Sequence, residues 1–545
     1  MKVLLIYANK PRITFGFLPG PYGLEILRAR LNSLSIESDI VNPFLSHDPK
    51  SLIEKSISPD TCLIGISLRN IDDALVLWDA DSSGGKIQTV SSVEDAKDVL
   101  AWCRKYAPDV PVVLGGAAVL HMPEQLLTYL RTDDNIFVDS EHGFVKRALR
   151  IAFNKDGIGQ AKRIIDTKHP ENILRENVYF RFREEAAVRT YTGCPLSCSH
   201  CIEHVGSRVI RRAQVVDVAN EVEAAVTNHS GVRRIFFADS EVNLAGECRT
   251  KELITEIRTR TATKNIPLAG YFNPRPMGFE LLKYLSENRV KVLLTVDHVS
   301  NAILQRNGKN FRKRHLESLV IHHRELGLEL SFCLLLGQPG ETRESVDEVL
   351  RFVDSIPAEI CGTIYFSPGV RVYPGTPLER QLSENKLDAR WLHGTRELQH
   401  SFIKPVVYCE SWDPFELFEY VSARSGGRIV PMNAYMHDTQ GQTMHVLQEE
   451  FENYHIGLAE AQDNISAAWR AWSGIRTETP FLSGNKHIDF LWERGRLALE
   501  NGAPDKSLSD WTYLQSLLVQ HNTVGAGLEK LAHNIGVANQ LLRTG

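Results

Sequence analysis

The sequence lacks several features that would place it in a class of proteins at once. No apolar run approaches the ~18 residues that a membrane-spanning helix needs, and the short apolar start is typical of a buried strand rather than a signal peptide. The net charge is only −5, and no dense run of lysine and arginine marks a nucleic-acid surface. Tandem repeats and low-complexity tracts are also missing. These absences favour a soluble cytoplasmic protein of several domains, with a small-molecule or peptide substrate and neither a membrane nor a nucleic-acid partner.

The sequence also lacks a regular cysteine framework. Its nine cysteines are an odd number without even spacing, which argues against a set of disulfides. Six are scattered, at Cys62, Cys103, Cys248, Cys333, Cys361 and Cys409. We expect these six to be buried thiols of a protein in a reducing compartment.

The other three cysteines, Cys194, Cys198 and Cys201, stand together at the spacing C-x3-C-x2-C. Three thiolates on one compact loop can ligate three corners of a four-iron cluster and leave the fourth iron open to a small molecule. The alternative is a structural zinc ion with His204 as a fourth ligand. Zinc sites usually combine a C-x2-C pair with a second pair of ligands, and this stretch supplies none, so the spacing favours an iron–sulfur cluster.

This loop resembles the C-x3-C-x-Φ-C motif of the radical S-adenosylmethionine (SAM) superfamily, in which Φ is an aromatic residue. His200 occupies the Φ position here, which departs from the commoner tyrosine or phenylalanine. The resemblance implies a [4Fe-4S] cluster held by Cys194, Cys198 and Cys201, with SAM chelated at the open iron.

Upstream of the loop, residues 1–155 alternate short apolar runs with amphipathic stretches. This pattern predicts an α/β domain with a doubly wound, Rossmann-like parallel sheet covered by helices on both faces. Ligands of such sheets bind where the strands end. Three loops are expected at that edge, and their candidate binding residues are Tyr22 and Gly23, Arg69 and Asn70, and Gly115 and Gly116.

Together these three loops resemble the cobalamin-binding domain that precedes many radical SAM domains. The Asp-x-His-x-x-Gly motif that gives other corrinoid proteins an axial histidine is absent. The resemblance therefore implies cobalt without a histidine ligand and with Arg69 at its lower face, because a guanidinium group stays protonated and has no lone pair to donate. The alternative is that Arg69 is a surface residue paired with Asp72 or Asp73.

Residues 156–185 carry mixed signals and are interpreted as a linker. Six strand–helix units are predicted in residues 186–385, fewer than an eightfold barrel of ~250 residues requires. They match the partial (β/α)6 barrel that the radical SAM resemblance implies. Functional groups of such barrels lie where the strands end. The candidates for cofactor binding there are Asp239, Glu241, Asn273, Gly337 and Gly340, and the candidate bases are His298, Glu341 and Tyr373.

Residues 386–545 are predicted to form a mainly helical domain that caps the substrate site. Six of the eight tryptophans lie here, and we expect most of them to pack between helices.

Two runs, Leu336–Thr342 and Gly369–Leu378, resemble the cobalamin-dependent radical SAM methyltransferase family, and the chain looks closest to its tryptophan 2-C-methyltransferase group. The resemblance implies that a methyl group passes from SAM to cobalamin to a substrate carbon, with a reductant serving the cobalamin. The expected acceptor is C2 of the tryptophan indole in peptide-antibiotic biosynthesis. Two alternatives remain open: radical methylation of an unactivated sp3 carbon of another natural-product precursor, and a non-catalytic corrinoid or cluster redox sensor.

Overall fold

The computed structural model describes residues 1–11, 20–68, 77–78, 87–88, 92–130, 135–153, 185–203, 207–229, 232–261, 265–328, 330–357, 361–394, 403, 406–431, 444–461, 464–479, 482, 484–520 and 526–544. Arg69, Asn70, His204 and nearly all of the predicted linker lie outside these ranges. Among the helices in the described ranges, none has the length and apolar character needed to cross a membrane.

In its described ranges, the first domain contains seven strands, β1 Lys2–Tyr7, β2 Glu37–Val41, β3 Thr61–Ser67, β4 Leu77–Trp78, β5 Ile87–Gln88, β6 Val112–Gly115 and β7 Ile136–Val138. Five of them form a parallel sheet in the order β2-β1-β3-β6-β7, and β4 and β5 pair separately as an antiparallel ribbon. The chain reverses its direction of winding between β1 and β3, and ligands of doubly wound sheets bind at such a switch point.

Helices cover both faces of this sheet, as predicted. Alternate residues of a strand point to opposite faces. Val3 and Leu5 of β1 accordingly pack with helices Tyr22–Ser33 and Glu141–Phe153, and Leu4 and Ile6 pack on the other side. That other side is covered by the helices Pro49–Ser56, Ser92–Tyr106, Ala117–His121 and Pro123–Leu130.

The second domain is built on a seven-stranded parallel sheet. The strands that follow β7 are β8 Glu185–Val188, β9 Tyr191–Thr192, β10 Arg211–Arg212, β11 Arg234–Phe237, β12 Leu268–Phe272, β13 Val290–Asp297, β14 Leu330–Leu336, β15 Cys361–Pro368, β16 Val370–Arg371, β17 Leu392–Gly394, β18 Val406–Tyr408 and β19 Ile429–Pro431. The parallel sheet has the order β8-β11-β12-β13-β14-β15-β19. The six strands predicted for the barrel are present as β8, β11, β12, β13, β14 and β15, with ends shifted by one or two residues in all but β12. The predicted runs are Ala187–Thr190, Arg234–Ala238, Leu268–Phe272, Lys291–Val296, Glu329–Leu336 and Thr363–Phe366.

The helices of this domain are Val215–Asn228, Glu247–Arg260, Phe279–Glu287, Asn301–Arg306, Lys313–Leu326, Arg343–Ser355, Pro377–Ser383 and Pro414–Arg424. Many of them, including Val215–Asn228 and Arg343–Ser355, pack with the sheet around one large apolar core. The strand β19 pairs with β15 although it lies well past residue 385, where the sequence predicts the barrel to end. Three residues are too few to show a strand period, so the sequence gives no signal for β19.

Residues beyond 385 begin with the strands β17 and β18 rather than with α-helices, and these two strands form a small antiparallel sheet with β16, which precedes residue 385. Helices dominate only afterwards, at Met444–Glu460, Ile465–Trp472, Gly484–Glu500, Pro504–Gln520 and Ala526–Thr544. The expectation that the tryptophans pack between helices is confirmed for Trp472 and Trp511, which are buried in the core of this bundle. Each indole N–H donates to a backbone carbonyl, that of Tyr454 at 2.9 Å and that of Trp492 at 3.2 Å, so neither polar group is left unpaired.

Candidate active site

The three clustered cysteines lie on a loop, Cys194–Cys201, at the carboxyl edge of the parallel sheet. Backbone hydrogen bonds fix this cysteine loop at several points. The Ser199 N–H donates to the carbonyl of Asn307 at 3.0 Å, and the Leu378 N–H donates to the carbonyl of Ser199 at 2.8 Å. The loop is thus held between two segments that follow β13 and β15. This position is expected, because the functional residues of such barrels lie at the carboxyl ends of the strands.

The thiols of this loop form a buried donor set. Cys194 and Cys198 are each 6% exposed, Cys201 is partly buried, and none of the three is in a disulfide. Burial raises the pKa of Cys194 to about 11, and it also raises the pKa values of Cys198 and Cys201. The thiols lie close enough to raise one another's pKa further. Such thiols become thiolates when a metal centre supplies the compensating positive charge, so the set fits an iron–sulfur cluster.

Within the described ranges, no group of three or more histidine, cysteine, aspartate or glutamate side chains is arranged around a single metal ion. An iron–sulfur cluster does not require that arrangement, because each thiolate binds a different iron. His204, the fourth ligand of the zinc alternative, is outside the described ranges.

A buried ion pair lies beside the cysteine loop. Lys309 Nζ is 2.5 Å from Asp297 Oδ2, and the two side chains are 4% and 7% exposed. Burial lowers the pKa of Lys309, but the carboxylate of Asp297 outweighs this effect and raises it above its ordinary value. Lys309 also hydrogen bonds to Cys198 and opposes the rise that burial causes in the pKa of that thiol. The imidazole of His200, at the Φ position, has its Nε2 3.7 Å from the same Asp297 oxygen.

Asp239 supports the start of the cysteine loop rather than facing an open cavity. Its Oδ1 accepts hydrogen bonds from the backbone N–H groups of Thr190 at 2.8 Å and Tyr191 at 3.1 Å, and its Oδ2 accepts one from the Thr190 hydroxyl at 2.5 Å. Burial raises the pKa of Asp239 to about 6, although these hydrogen bonds lower it. The side chain therefore fixes the turn between β8 and β9, which leads directly into the loop.

We expect Asp239→Ala to weaken cluster binding, because it leaves two buried backbone N–H groups without an acceptor, at about 1–3 kcal/mol each. Iron content after anaerobic reconstitution and the melting temperature should both fall. Asp239→Asn keeps an oxygen in place and is the matched control, with values near those of the unmodified protein. Equal iron content in the alanine and asparagine variants would contradict this role.

Glu241 and Asn273 form a second polar group at the same edge. Asn273 Nδ2 donates to Glu241 Oε2 at 2.7 Å, and the Thr295 hydroxyl donates to Glu241 Oε1. Burial raises the pKa of Glu241, while nearby Lys309 lowers it. Glu241 is thus brought close to the ion pair beside the cysteine loop, and it remains a candidate for cofactor binding together with Asn273.

The structure brings two of the candidate bases together, but both are buried. The Nε2 of His298 is 3.5 Å from Glu341 Oε2, and the side chains are fully enclosed. Glu341 accepts hydrogen bonds from the backbone N–H groups of Gly337 at 2.6 Å and Gln338 at 3.4 Å. Burial raises the pKa of Glu341 to about 8 and lowers that of His298 to about 4. These contacts hold the turn that contains Gly337 and Gly340.

The two glycines of that turn have left-handed backbones, with φ of +86° at Gly337 and +87° at Gly340. A Cβ on Gly337 would lie 2.5 Å from the sulfur of Cys409, and one on Gly340 would lie 2.9 Å from the side chain of Arg306. Glycine is therefore required here by both conformation and space. The turn presents backbone at the end of β14, which suits the predicted contact with a cofactor.

Tyr373 is the candidate base that lies between the domains. It is partly buried, packs against the core of the first domain, and has the guanidinium carbon of Arg371 4.7 Å from the centre of its ring. Ile202, next to Cys201, packs against the same core, and Ile403 is buried within it. The cysteine loop therefore abuts the first domain directly.

In the first domain, the candidate residues at the sheet edge occupy different environments. The hydroxyl of Tyr22 donates to Glu221 Oε2 at 3.1 Å and accepts from the backbone N–H of Arg189 at 3.3 Å, so Tyr22 joins the first domain to the second. Gly23 is exposed. Gly116 has φ of +100°, and a Cβ there would collide with the Leu68 carbonyl.

The loops after β3 and β6 pack closely against each other. Gly116 lies against the Leu68 carbonyl, and the Leu68 N–H donates to the Gly115 carbonyl at 2.9 Å. Arg69 and Asn70, which follow Leu68 in the sequence, are outside the described ranges, so their predicted role remains a prediction.

The sequence of residues 188–353 matches the family described as the radical SAM superfamily. This segment contains the cysteine loop and the strands β11 to β14. The chain contains a radical SAM domain. The resemblance inferred from the three cysteines is confirmed, and the candidate residues Asp239, Glu241, Asn273, His298, Gly337, Gly340 and Glu341 all lie inside the matched segment.

Curated relatives match this chain over part of its length. The ribosomal protein uS12 methylthiotransferase RimO of Parabacteroides distasonis is 26% identical over 207 residues, which are 36% of this chain and 47% of the relative. The tryptophan 2-C-methyltransferase of Streptomyces laurentii is 28% identical over 232 residues, 40% of this chain and 37% of the relative. The chain therefore spans about half or less of the length of these relatives.

Solved structures show that the likeness of fold extends beyond the radical SAM domain. The methyltransferase TsrM from Kitasatospora setae, with tryptophan and a SAM analogue bound, aligns with a TM-score of 0.65 at 20% identity over 84% of this chain and 98% of that one. The cobalamin-dependent SAM radical enzyme OxsB, with aqua-cobalamin and SAM bound, aligns with a TM-score of 0.53 at 14% identity over 100% of this chain and 80% of that one. The predicted order of a doubly wound domain, a partial barrel and a helical domain is confirmed as a fold.

Sequence reasoning missed Lys309, which the structure places beside the cysteine loop, whereas Asn243 stands in the run Asp239–Asn243 that the sequence marks at the end of a barrel strand. Asn243 is fully buried and accepts from the Asn273 N–H at 2.9 Å, so it fixes the end of β12. Lys309 follows an Asn-Gly turn and belongs to no motif. The one signal in the sequence is the Asn-Gly pair before it, and in the structure Gly308, with φ of +73°, packs against the Ser197 carbonyl of the cysteine loop.

Proposed function

We propose that this chain is a cobalamin- and SAM-dependent C-methyltransferase, with C2 of the tryptophan indole as the methyl acceptor. The observation that carries the proposal is the contact between the cysteine loop and the first domain, in which Ile202 and Tyr373 pack against the core beneath the doubly wound sheet. A protein that moves a methyl group between two cofactors needs their two binding regions side by side.

The residues present fit both groups. Cys194, Cys198 and Cys201 would hold the [4Fe-4S] cluster, and its open iron would bind SAM. The switch point between β1 and β3, with the close-packed loops at Leu68 and Gly116, would hold cobalamin. Cobalamin would supply a metal that carries the methyl group between SAM and the substrate.

Two relatives support the choice of substrate class. One curated relative is named tryptophan 2-C-methyltransferase, and one structure of similar fold contains tryptophan as substrate. Methyl transfer to an indole carbon replaces a C–H bond by a C–C bond and releases a proton, so a base near the acceptor carbon is required. Among the three candidates, we favour Tyr373 because it lies at the boundary between domains, whereas Glu341 and His298 are enclosed around the β14 turn.

The proposal is tested by anaerobic incubation of the reconstituted protein with tryptophan and SAM that carries a deuterated methyl group, followed by mass spectrometry. We expect 2-methyltryptophan with the deuterated methyl and one S-adenosylhomocysteine per product. Formation of 5′-deoxyadenosine with methylation at a saturated carbon would instead support the radical alternative. Binding of both cofactors without any consumption of SAM would support a redox sensor and contradict the proposal.

A further inference from the structure

An arginine lies at the boundary between the doubly wound domain and the barrel. Arg189 directly follows β8, which is the edge strand of the seven-stranded sheet. The backbone N–H of Arg189 donates to the Tyr22 hydroxyl at 3.3 Å. Tyr22 belongs to the first of the three loops predicted to hold cobalamin. Arg189 is therefore located where the barrel meets the predicted cobalamin edge of the first domain.

The side chain of Arg189 faces the inside of the partial barrel. Val188, the residue before it, packs in the core under the helices, so Arg189 points to the opposite face of the sheet. Phe236 of β11 and Tyr271 of β12 lie on that same inner face, because the residue after each of them belongs to the core. Their rings meet edge to face with centroids 5.5 Å apart, and both are partly exposed. The inside of the barrel beside Arg189 thus offers an aromatic surface that the core does not cover.

The guanidinium group of Arg189 is partly buried, and it makes no ion pair in the described part of the chain. Its carbon lies 6.0 Å from the centre of the Tyr22 ring. Burial raises the pKa of Asp239, and Arg189 is near enough to oppose that rise. Hydrogen bonds from Thr190 and Tyr191 already occupy both oxygens of Asp239, however. A partly buried cation with five N–H donors and no anion favours an anionic ligand.

We propose that Arg189 holds the α-carboxylate of the methyl acceptor and thereby selects a free amino acid over a tryptophan within a peptide. The inference rests on the proposed function and deepens it, because it names the group by which the acceptor is recognised. A guanidinium fork binds a carboxylate through two parallel hydrogen bonds, so it fixes the orientation of the ligand as well as its charge. The rings of Phe236 and Tyr271 on the same face give an indole an apolar surface to pack on.

Two other anionic groups belong to the proposed cofactors, the carboxylate of SAM and the phosphate of cobalamin. The acceptor is favoured over both because of where Arg189 lies. Methyl transfer from cobalamin requires the acceptor between the barrel and the first domain, and Arg189 contacts Tyr22 at that boundary while its side chain faces the barrel interior. SAM is expected instead at the open iron of the cluster, on the cysteine loop that the segments after β13 and β15 hold.

The test compares L-tryptophan with L-tryptophanamide, which has nearly the same size but a neutral carboxamide in place of the carboxylate. Arg189→Gln and Arg189→Lys are measured beside the unmodified protein. The matched control is Arg233→Gln, which alters an exposed arginine just before β11, at the other end of the sheet. Each protein is reconstituted with cluster and cobalamin. The Kd of each compound is measured by calorimetric titration without SAM, and KM and kcat are then measured with SAM.

We expect the unmodified protein to bind tryptophan at least about tenfold more tightly than tryptophanamide, because the amide lacks the charge that pairs with the guanidinium group. Arg189→Gln should weaken tryptophan binding at least about tenfold and leave tryptophanamide within about twofold, so that the preference disappears. Arg189→Lys should keep part of the preference, since it keeps the charge and loses the fork. Arg233→Gln should match the unmodified protein for both compounds. The KM for tryptophan should rise with its Kd.

Equal losses of affinity for both compounds in the Arg189 variants would overturn the inference, because an arginine that only supports the fold affects them alike. So would an unmodified protein without a preference for tryptophan. A preserved preference with a raised KM for SAM would assign Arg189 to the carboxylate of SAM, and a preserved preference with loss of bound cobalamin on dialysis would assign it to the phosphate. If glutamine prevents folding, the lysine variant carries the comparison.

Failure of the proposed function has a different signature. An unmodified protein that neither binds nor methylates either compound would contradict the proposed function and this inference together. A protein that methylates tryptophan while the Arg189 variants keep the preference would contradict the inference alone. The unmodified protein is therefore measured first.

Discussion

Replacing Cys194, Cys198 and Cys201 together by alanine should abolish the iron–sulfur absorbance and lower the iron content from about four atoms per chain to background. Each single replacement should also prevent an intact cluster from forming, because it removes one of the three cysteines that the loop supplies. Methyl transfer from SAM should be lost in all four variants, since SAM would no longer have an open iron to bind. The measurements are anaerobic iron analysis, visible absorbance and SAM turnover.

The chain offers a matched control in Cys248, for which the expectation of a buried thiol is wrong, because it is exposed on the helix Glu247–Arg260, outside the cysteine loop. Cys248→Ala should retain iron, absorbance and turnover. Retention of about four iron atoms in the triple variant would refute the assignment of the cluster to this loop. Zinc in place of iron in the unmodified protein would support the structural zinc alternative.

The sequence predicted the parallel sheets well, because their strands are buried on both faces and read as short apolar runs separated by amphipathic helices. β2 spans the predicted run Glu37–Val41. The other strands of that sheet, β1, β3, β6 and β7, differ by one or two residues from the predicted runs Val3–Tyr7, Leu63–Ser67, Val112–Leu114 and Asn135–Val138. The short strands β16 to β19 were not predicted, because two or three residues carry no period. Their pairing depends on contacts that are distant in sequence, such as Val370 with Tyr408.

Within the site, the residues that stand in motifs could be predicted from the sequence. Whether a polar candidate residue is buried or faces a cavity could not. Cys194, Cys198, Gly337 and Gly340 stand in recognisable runs and lie where the strands end. The burial of Glu341 and His298 was not visible, because a polar residue after a strand looks the same whether it faces a cavity or closes a turn. Their enclosure makes both of them less suitable as bases than Tyr373.

Breaking the buried ion pair between Lys309 and Asp297 should strongly lower the stability of the protein. Removing one partner leaves the other charge buried without compensation, which typically costs about 3–5 kcal/mol. We therefore expect Lys309→Met and Asp297→Asn each to lower the melting temperature of the cluster-free protein, and asparagine is chosen because it tolerates the left-handed backbone at Asp297, φ +59°. Hydrogen–deuterium exchange should increase in peptides that contain the end of β13 and the cysteine loop, because Lys309 also contacts Cys198.

The double variant with both substitutions separates burial of a charge from loss of packing. The double variant Lys309→Met with Asp297→Asn leaves no charge buried, so it should regain most of the melting temperature lost in either single variant. Lys313→Met is the control, because its pair with Glu348 is about 30% exposed and such pairs contribute only about 0–1 kcal/mol. If the loss of melting temperature in the double variant equals the sum of the losses in the two single variants, the two residues contribute independently. The buried pair is then not what stabilises the end of β13. If it regains stability but binds little iron, the charge of Lys309 is needed beside Cys198 for the cluster rather than for the fold.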